Sequence, residues 1–157
     1  MKNIGTFEVT SGQIRISDPC YDNDAVGTFA HSIAARNGTW DAWVQLEEAQ
    51  VAELIVVRQE RSPIRWRRGD CIGVDSGTAG VFDESAFRVD AGIPHEPMWS
   101  EEPGDLWYYK HVVQDQFEAK SITGGVISRT GWGDGIYKFQ WSRSSEGTAE
   151  AVRIIFF

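Results

Sequence analysis

The chain has 157 residues, of which 41% are hydrophobic and 24% are charged, and its formal net charge is −8. This length and composition exclude disorder, collagen and coiled coils, and they suit one domain whose core needs no disulfide. No run approaches the roughly 18 apolar residues that a membrane-spanning helix needs, and no signal-peptide pattern opens the chain. We therefore expect a single cytoplasmic domain over residues 1–157, with Cys20 and Cys71 as reduced thiols.

Positive charge is concentrated in one segment of this acidic chain. Between Arg58 and Arg68, five arginines face a single glutamate, so this segment carries +4 and the rest of the chain −12. An acidic surface repels polyanions, which argues against general nucleic-acid binding and against anionic membranes. A local basic patch instead suits one phosphate-bearing ligand or one acidic partner.

Short runs of alternating or β-branched residues, separated by turn residues, predict a chain made mainly of strands. In chain order the predicted strands are residues 4–10, 13–17, 39–46, 51–59, 71–75, 79–83, 121–128, 136–143 and 148–157. Ser11-Gly12 is predicted to close a tight hairpin, and the last three strands are predicted to form a meander.

Helical patterns are weak by comparison. Residues 83–87 suit a short turn and residues 107–120 suit a helix, whereas residues 94–105 contain three prolines and four acids and are predicted to be a loop or lid. The fold class predicted is mainly β: an antiparallel sandwich or an open barrel with one or two short helices.

Three polar motifs interrupt this pattern, and the first follows the second strand. It is Asp18-Pro19-Cys20-Tyr21, with Asp22 and Asp24 close behind. Three carboxylates in a short span suit either a hard cation or a turn with solvated side chains, and the motif lacks the glycine and final glutamate of a helix–loop–helix calcium site.

The second motif is Asp75-Ser76-Gly77-Thr78-Ala79-Gly80, between two predicted strands. Because it lacks the Gly-x-Ser-x-Gly pattern of a nucleophilic serine, we interpret it as a hairpin turn. The third motif, Gly131-Trp132-Gly133-Asp134-Gly135, has neither the dinucleotide nor the phosphate-loop spacing. Its Trp132 is either a stacking platform for a ring or a plug over the core.

Taken in order, the three motifs resemble a family of uncharacterised bacterial and phage proteins. That family runs Asp-Pro-Cys-Tyr, then Val-Asp-x-Gly-x-Ala-Gly with Phe-Asp, then Gly-Trp/Tyr-Gly-Asp-Gly before two closing strands. The resemblance spans most of the chain and implies a phage or prophage origin, with the host cytoplasm as the location. As a domain of unknown function, the family implies no activity. The arginine-rich segment and the acidic residues 94–105 lie outside the shared pattern.

Catalytic candidates are few. His31, His95 and His111 lack the spacing of metal ligands, and the aspartates beside Cys20 are expected to raise the pKa of its thiol. Cys71 is expected in the core.

A metal-dependent alternative uses the three motif aspartates. If the turns that carry Asp18, Asp75 and Asp134 converge, these carboxylates suit Mg²⁺ or Mn²⁺ in a hydrolase. The sequence leaves that convergence open, and no other cofactor is expected.

The arginine cluster favours binding over turnover. Arg65, Arg67 and Arg68 surround Trp66, and guanidinium groups bind phosphates in a bidentate manner while an indole stacks on bases. We expect these residues, with Trp132 and Tyr21, to capture a small phosphate-bearing or nucleotide-like ligand. For a phage protein, such capture suits a decoy that removes a host defence signal. Solvated ion pairs within the molecule are the structural alternative.

Two other functions stay open. One is an acidic, tryptophan-rich inhibitor that binds a host protein, and the other is the metal-dependent hydrolase described above.

Overall fold

The computed structural model describes residues 1–94, 100 and 102–157. Its strands are β1 (Lys2–Val9), β2 (Gln13–Ser17), β3 (His31–Ala34), β4 (Gly38–Glu47), β5 (Gln50–Arg58), β6 (Arg67–Val74), β7 (Thr78–Asp83), β8 (Ala119–Ile122), β9 (Gly125–Arg129), β10 (Gly135–Arg143) and β11 (Ala149–Ile155). One helical segment, α1 (Asp105–Tyr108), continues into a π-helix (Tyr109–Val113). Within the described residues no helix has the length and apolar character needed to cross a membrane.

The strands form two antiparallel sheets that pack face to face. The six-stranded sheet has the order β1-β4-β5-β11-β10-β6, and the five-stranded sheet has the order β3-β2-β7-β9-β8. The sheets do not close into a barrel, so the prediction of a mainly β antiparallel sandwich is confirmed.

Alternate residues of each strand fill the space between the sheets, as the period of two requires. Trp40 and Val44 of β4 are fully buried there, and so are Ile14 and Ile16 of β2. Burying a side chain of this size stabilises the fold by roughly 1.5–3 kcal/mol. A smaller apolar cluster, which includes Phe82 and Trp107, joins the helical segment to the opposite face of the five-stranded sheet.

Most predicted strands are present within two residues at each end, but the strand predicted over 71–75 begins earlier, at Arg67. Two further local predictions are wrong, and one strand was not predicted. The segment 121–128 is two strands, β8 and β9, because Gly124 takes a left-handed conformation (φ 78°) that reverses the chain. Strand β3 lies in a region without a clear pattern. The predicted helix over 107–120 is shorter and starts earlier.

The two hairpin predictions and the first turn of the predicted meander are wrong in the same way, whereas the second turn of the meander does join the neighbouring strands β10 and β11. Turns at residues 10–12, 75–77 and 130–134 do not connect neighbouring strands; each carries the chain from one sheet to the other. Turn residues such as glycine and aspartate suit a hairpin and a corner equally well, because both reverse or redirect the backbone. Only the long-range pairing of the strands decides between them.

The connection from β5 to β6 passes over two strands, β11 and β10, before β6 forms the edge of its sheet. This connection is the arginine-rich segment. The predicted loop or lid at residues 94–105 falls in part on residues 95–99 and 101, which lie outside the described residues, and so does His95.

Candidate functional site

The three polar motifs meet at one end of the sandwich, around the buried carboxylate of Asp18. Its Oδ1 atom accepts hydrogen bonds from the Cys20 amide and the Ser76 hydroxyl, each at 2.7 Å. Its Oδ2 atom accepts hydrogen bonds from the amides of Asp75 and Ser76, each also at 2.7 Å. Asp18 is fully buried, so these four donors replace its hydration.

The third motif is tied to the same corner. Asp134 Oδ1 accepts a hydrogen bond from the Gly77 amide at 2.9 Å, and the Gly133 carbonyl accepts one from the Tyr137 hydroxyl at 2.8 Å. The Tyr21 hydroxyl donates to Asp75 Oδ2 at 2.9 Å. The turns that carry the three motif aspartates therefore meet at residues 75–77, where the carboxylates of Asp18 and Asp134 accept hydrogen bonds from the backbone amides.

This use of the carboxylates does not match the arrangement expected for Mg²⁺ or Mn²⁺. The oxygens of Asp18 face four donors, and Asp75 and Asp134 each have an oxygen that accepts a hydrogen bond from another residue. Among the described residues, no group of three or more histidines, cysteines, aspartates and glutamates is placed to hold a metal ion.

Two buried arginines, which the sequence analysis did not single out, hold the loop that carries the first motif. Arg88 is 5% exposed, and its guanidinium donates to the carbonyls of Pro19 at 3.0 Å and Cys20 at 3.3 Å and pairs with Asp105 at 2.7 Å. Arg15 donates to the Asp22 carbonyl at 3.2 Å. Arg15 could have been noticed in the sequence, because it is a charged residue between the two isoleucines of a predicted strand.

The thiol of Cys20 and the phenol of Tyr21 at this corner are held in their protonated forms. Burial, together with the negative charge of Asp18 and Asp75, raises the pKa of the Cys20 thiol well above its usual range. The sequence predicts this direction from the aspartates beside Cys20, but not burial, which is the larger cause. The Ser76 hydroxyl is held between Asp18 and Thr78. Burial and the hydrogen bond to Asp75 likewise raise the pKa of Tyr21.

The two described histidines make contacts elsewhere. His31 Nε2 lies 2.8 Å from the Cys71 carbonyl. The ring of His111 packs edge-on against Trp107, where burial, assisted by two nearby lysines, lowers its pKa to about 4. Both cysteines are free thiols, and Cys71 is half-buried on the outer face of the six-stranded sheet instead of in the core.

The five arginines of the basic segment divide into two groups. Arg58 and Arg61 donate to backbone carbonyls: Arg58 Nε binds the Asn37 carbonyl in the turn before β4 at 2.7 Å, and Arg61 binds the Arg58 carbonyl at 3.2 Å. Arg65, Arg67 and Arg68 are exposed. Within the described part of the chain, none of the five forms an ion pair with a carboxylate.

Trp66 and Arg68 lie on the outer face of the six-stranded sheet, together with a second cationic side chain, that of Lys138. Arg68 is directly opposite Gln140 of β10, and Lys138 lies two residues from Gln140 on the same face. The guanidinium of Arg153 covers one face of the Trp66 ring at 4.7 Å from its centre. A cavity of about 100 Å³ opens between these strands, and the polar side chains that line it belong to Arg68, Asp70, Cys71, Lys138 and Gln140.

The remaining predicted ligand residues are not part of this group. Arg67 is paired with Trp141, whose side chain packs against the core between the sheets. The third motif joins β10 at Gly135, six residues from Trp141, which is about 20 Å along a strand. Trp132 and Tyr21 therefore lie at the opposite end of the β6–β10 ladder from the arginines. Trp132 is 68% exposed, so it does not plug the core.

No family model matches the sequence, and comparisons with curated proteins and with solved structures give no match either. The resemblance to the bacterial and phage family stays a prediction from the motifs.

Proposed function

We propose that the protein binds a small phosphate-bearing ligand, without chemical turnover, on the outer face of its six-stranded sheet. Arg68 and Lys138 bind the phosphate in this proposal, and Trp66 carries an attached ring. The observation that carries the proposal is the cavity between β6 and β10, which two exposed cationic side chains line. Trp66 is connected to it through Arg153, which covers the indole and donates a hydrogen bond to the lining residue Gln140.

The size of the cavity limits what enters it. Sites that enclose a whole small molecule measure roughly 300–1,000 Å³, whereas this cavity measures about 100 Å³. We infer that only the anionic group enters and that the rest of the ligand lies over the strand surface. The ring face of Trp66 opposite Arg153 is the stacking surface, and base stacking contributes about 1–3 kcal/mol.

Asp70 acts against this binding. It lines the same cavity and carries a negative charge, with its Oδ1 accepting a hydrogen bond from the Cys71 amide at 2.8 Å. The site therefore favours a ligand with enough charge to outweigh one carboxylate, such as a phosphate monoester or pyrophosphate over a carboxylic acid.

The test uses inorganic pyrophosphate and the common nucleoside monophosphates as probes, with binding measured by amide chemical-shift changes at low salt. We expect Arg68→Ala and Lys138→Ala each to weaken binding about tenfold, equivalent to about 1.4 kcal/mol. Asp70→Asn is expected to strengthen it. Lys2→Ala is the matched control, because it removes one positive charge from an exposed side chain of a different edge strand.

Trp66→Ala separates the two parts of the site. This variant is expected to weaken the binding of the nucleotides about 5- to 100-fold, because it removes the stacking surface. Its affinity for pyrophosphate is expected to change by less than a factor of about two, because pyrophosphate has no ring to stack. The proposal is wrong if no probe shifts amides of β6 and β10 at millimolar concentration, or if Arg68→Ala and Lys2→Ala behave alike.

A further inference from the structure

A second surface, at the opposite end of the β6–β10 ladder, has the features of a protein-docking site. Trp132 is 68% exposed, and Phe157, at 37% exposed, meets it edge-on with ring centres 5.5 Å apart. A groove of about 390 Å³ runs beside the turn that carries Trp132, and the two sequence neighbours of Trp132, Gly131 and Gly133, line it.

Several hydrogen bonds fix the backbone of the turn that carries Trp132. The Thr130 hydroxyl donates to the Gly133 carbonyl at 2.5 Å, and the Tyr137 hydroxyl donates to the same oxygen at 2.8 Å. Gly131 has φ 64° and leaves no room for a side chain, since an added Cβ would lie 2.6 Å from the Val51 carbonyl oxygen. Asp134 fixes the far side of the turn through the Gly77 amide.

A large aromatic side chain on a rigid turn loses little conformational entropy on binding, which is typical of residues that dominate protein interfaces. Tyr137 and Phe156 are buried in the core and pack edge-on against each other, whereas the indole of Trp132 stays largely in solvent. The indole therefore contributes its edge contact with Phe157 to the fold and leaves most of its surface free for a partner.

The charges around the groove indicate the chemistry of the partner. Four carboxylates lie in or next to the groove. Glu118 lines it, and Glu47 is paired across the β4–β5 hairpin with Gln50, which also lines it. Glu48 and Asp134 are each next in sequence to a lining residue. Two cations lie near these four carboxylates: Arg129, which also lines the groove, and Lys2, so the surroundings stay acidic overall. Arg129 donates to the Phe117 carbonyl at 3.2 Å and lies over the Phe117 ring, and Lys2 is 3.8 Å from Glu118.

We propose that the groove beside Trp132 docks a basic segment of a partner protein, with an apolar side chain of that segment against the indole. Opposite charges steer the approach, and burial of the indole supplies most of the affinity. This inference is independent of the anion site, since the two surfaces share no residue.

The test is a selection from a library of random twelve-residue peptides displayed on a carrier, against the whole protein, with counter-selection on the Trp132→Ala variant. We expect the enriched peptides to carry net positive charge and at least one large apolar residue. Their affinity is expected to fall about 30-fold in Trp132→Ala, equivalent to about 2 kcal/mol. A double Glu47→Lys, Glu48→Lys variant is expected to weaken the same peptides and to reduce the salt dependence of their binding.

Val26→Ala is the control, because it shortens another exposed apolar side chain, 50% exposed, in a loop that does not line the groove. Trp132→Phe is expected to keep part of the affinity. The inference is overturned by enrichment of neutral or acidic peptides only, or by the absence of Trp132-dependent peptides. Trp132-dependent binding of a glycan, or a dimer that Trp132→Ala dissolves, also overturns it.

Discussion

Replacing Asp18 by asparagine tests whether the corner at residues 75–77 is held by one buried carboxylate. In the less costly orientation, the new amide nitrogen faces the Cys20 amide and the Ser76 hydroxyl. The hydroxyl can rotate and accept a hydrogen bond, but the Cys20 N–H cannot. Leaving that buried donor unpaired costs about 1–3 kcal/mol.

The two remaining amide donors, from Asp75 and Ser76, still meet an oxygen, but a neutral one. Loss of the charge assistance costs about 1 kcal/mol for each of them. The free energy of unfolding is therefore expected to fall by about 3–5 kcal/mol, which lowers Tm by about 6–20 °C for a chain of this size. This is a large part of the 5–15 kcal/mol, roughly, that stabilises an ordinary domain.

Urea denaturation followed by tryptophan fluorescence and by circular dichroism measures the effect. Asp22→Asn is the matched control, because the Asp22 side chain is 81% exposed and lies 3.8 Å from Arg88, so its loss is expected to cost less than about 1 kcal/mol. If the two variants differ by less than about 1 kcal/mol, the reasoning on Asp18 is refuted.

Three further outcomes are expected. The pKa of His111 is about 4 in the folded protein against 6.5 for a free histidine, so on acidification the unfolded state binds a proton at a higher pH than the folded state does. The free energy of unfolding should thus fall as pH drops from 6.5 towards 4, by about 1–2 kcal/mol after allowing for solvent, and His111→Phe should remove this dependence. Gly80→Ala places a Cβ against the Val126 carbonyl and should cost about 1–3 kcal/mol in thermal denaturation. In a Cys71→Ser background, Cys20 should react with a thiol reagent at pH 8 at least about tenfold slower than free cysteine; an equal rate contradicts the burial argument.

The sequence predicted the class of the fold because strand periodicity is a local property. β4 alternates between buried residues such as Trp40 and half-buried ones such as Asp41, and that alternation is readable from ten residues. The sheet to which a strand belongs is not local. Turn residues at Gly12 and Gly77 specify a change of direction only, so they could not reveal that the chain crosses to the other sheet there.

In the candidate sites, too, the sequence predicted what depends on neighbouring residues and not what depends on the pairing of distant strands. Neighbours in sequence suggested one group around Trp66, but adjacent residues of a strand face opposite sides, so Arg67 and Arg68 separate. Lys138, which lines the cavity with Arg68, is 70 residues from Arg68 in the sequence, and no sequence pattern connects the two. The meeting of Asp18 with Asp75 depends on strand register across both sheets, which one sequence does not specify.

The central position of β11 sets an order of assembly. It lies between β5 and β10, so it alone joins the block β1-β4-β5 to the β10–β6 pair. During synthesis, the first 148 residues can make only these two separate parts of the six-stranded sheet, each with an open edge where the last strand belongs. The edges of β5 and β10 are therefore the surfaces at which a nascent chain is most exposed to wrong pairing.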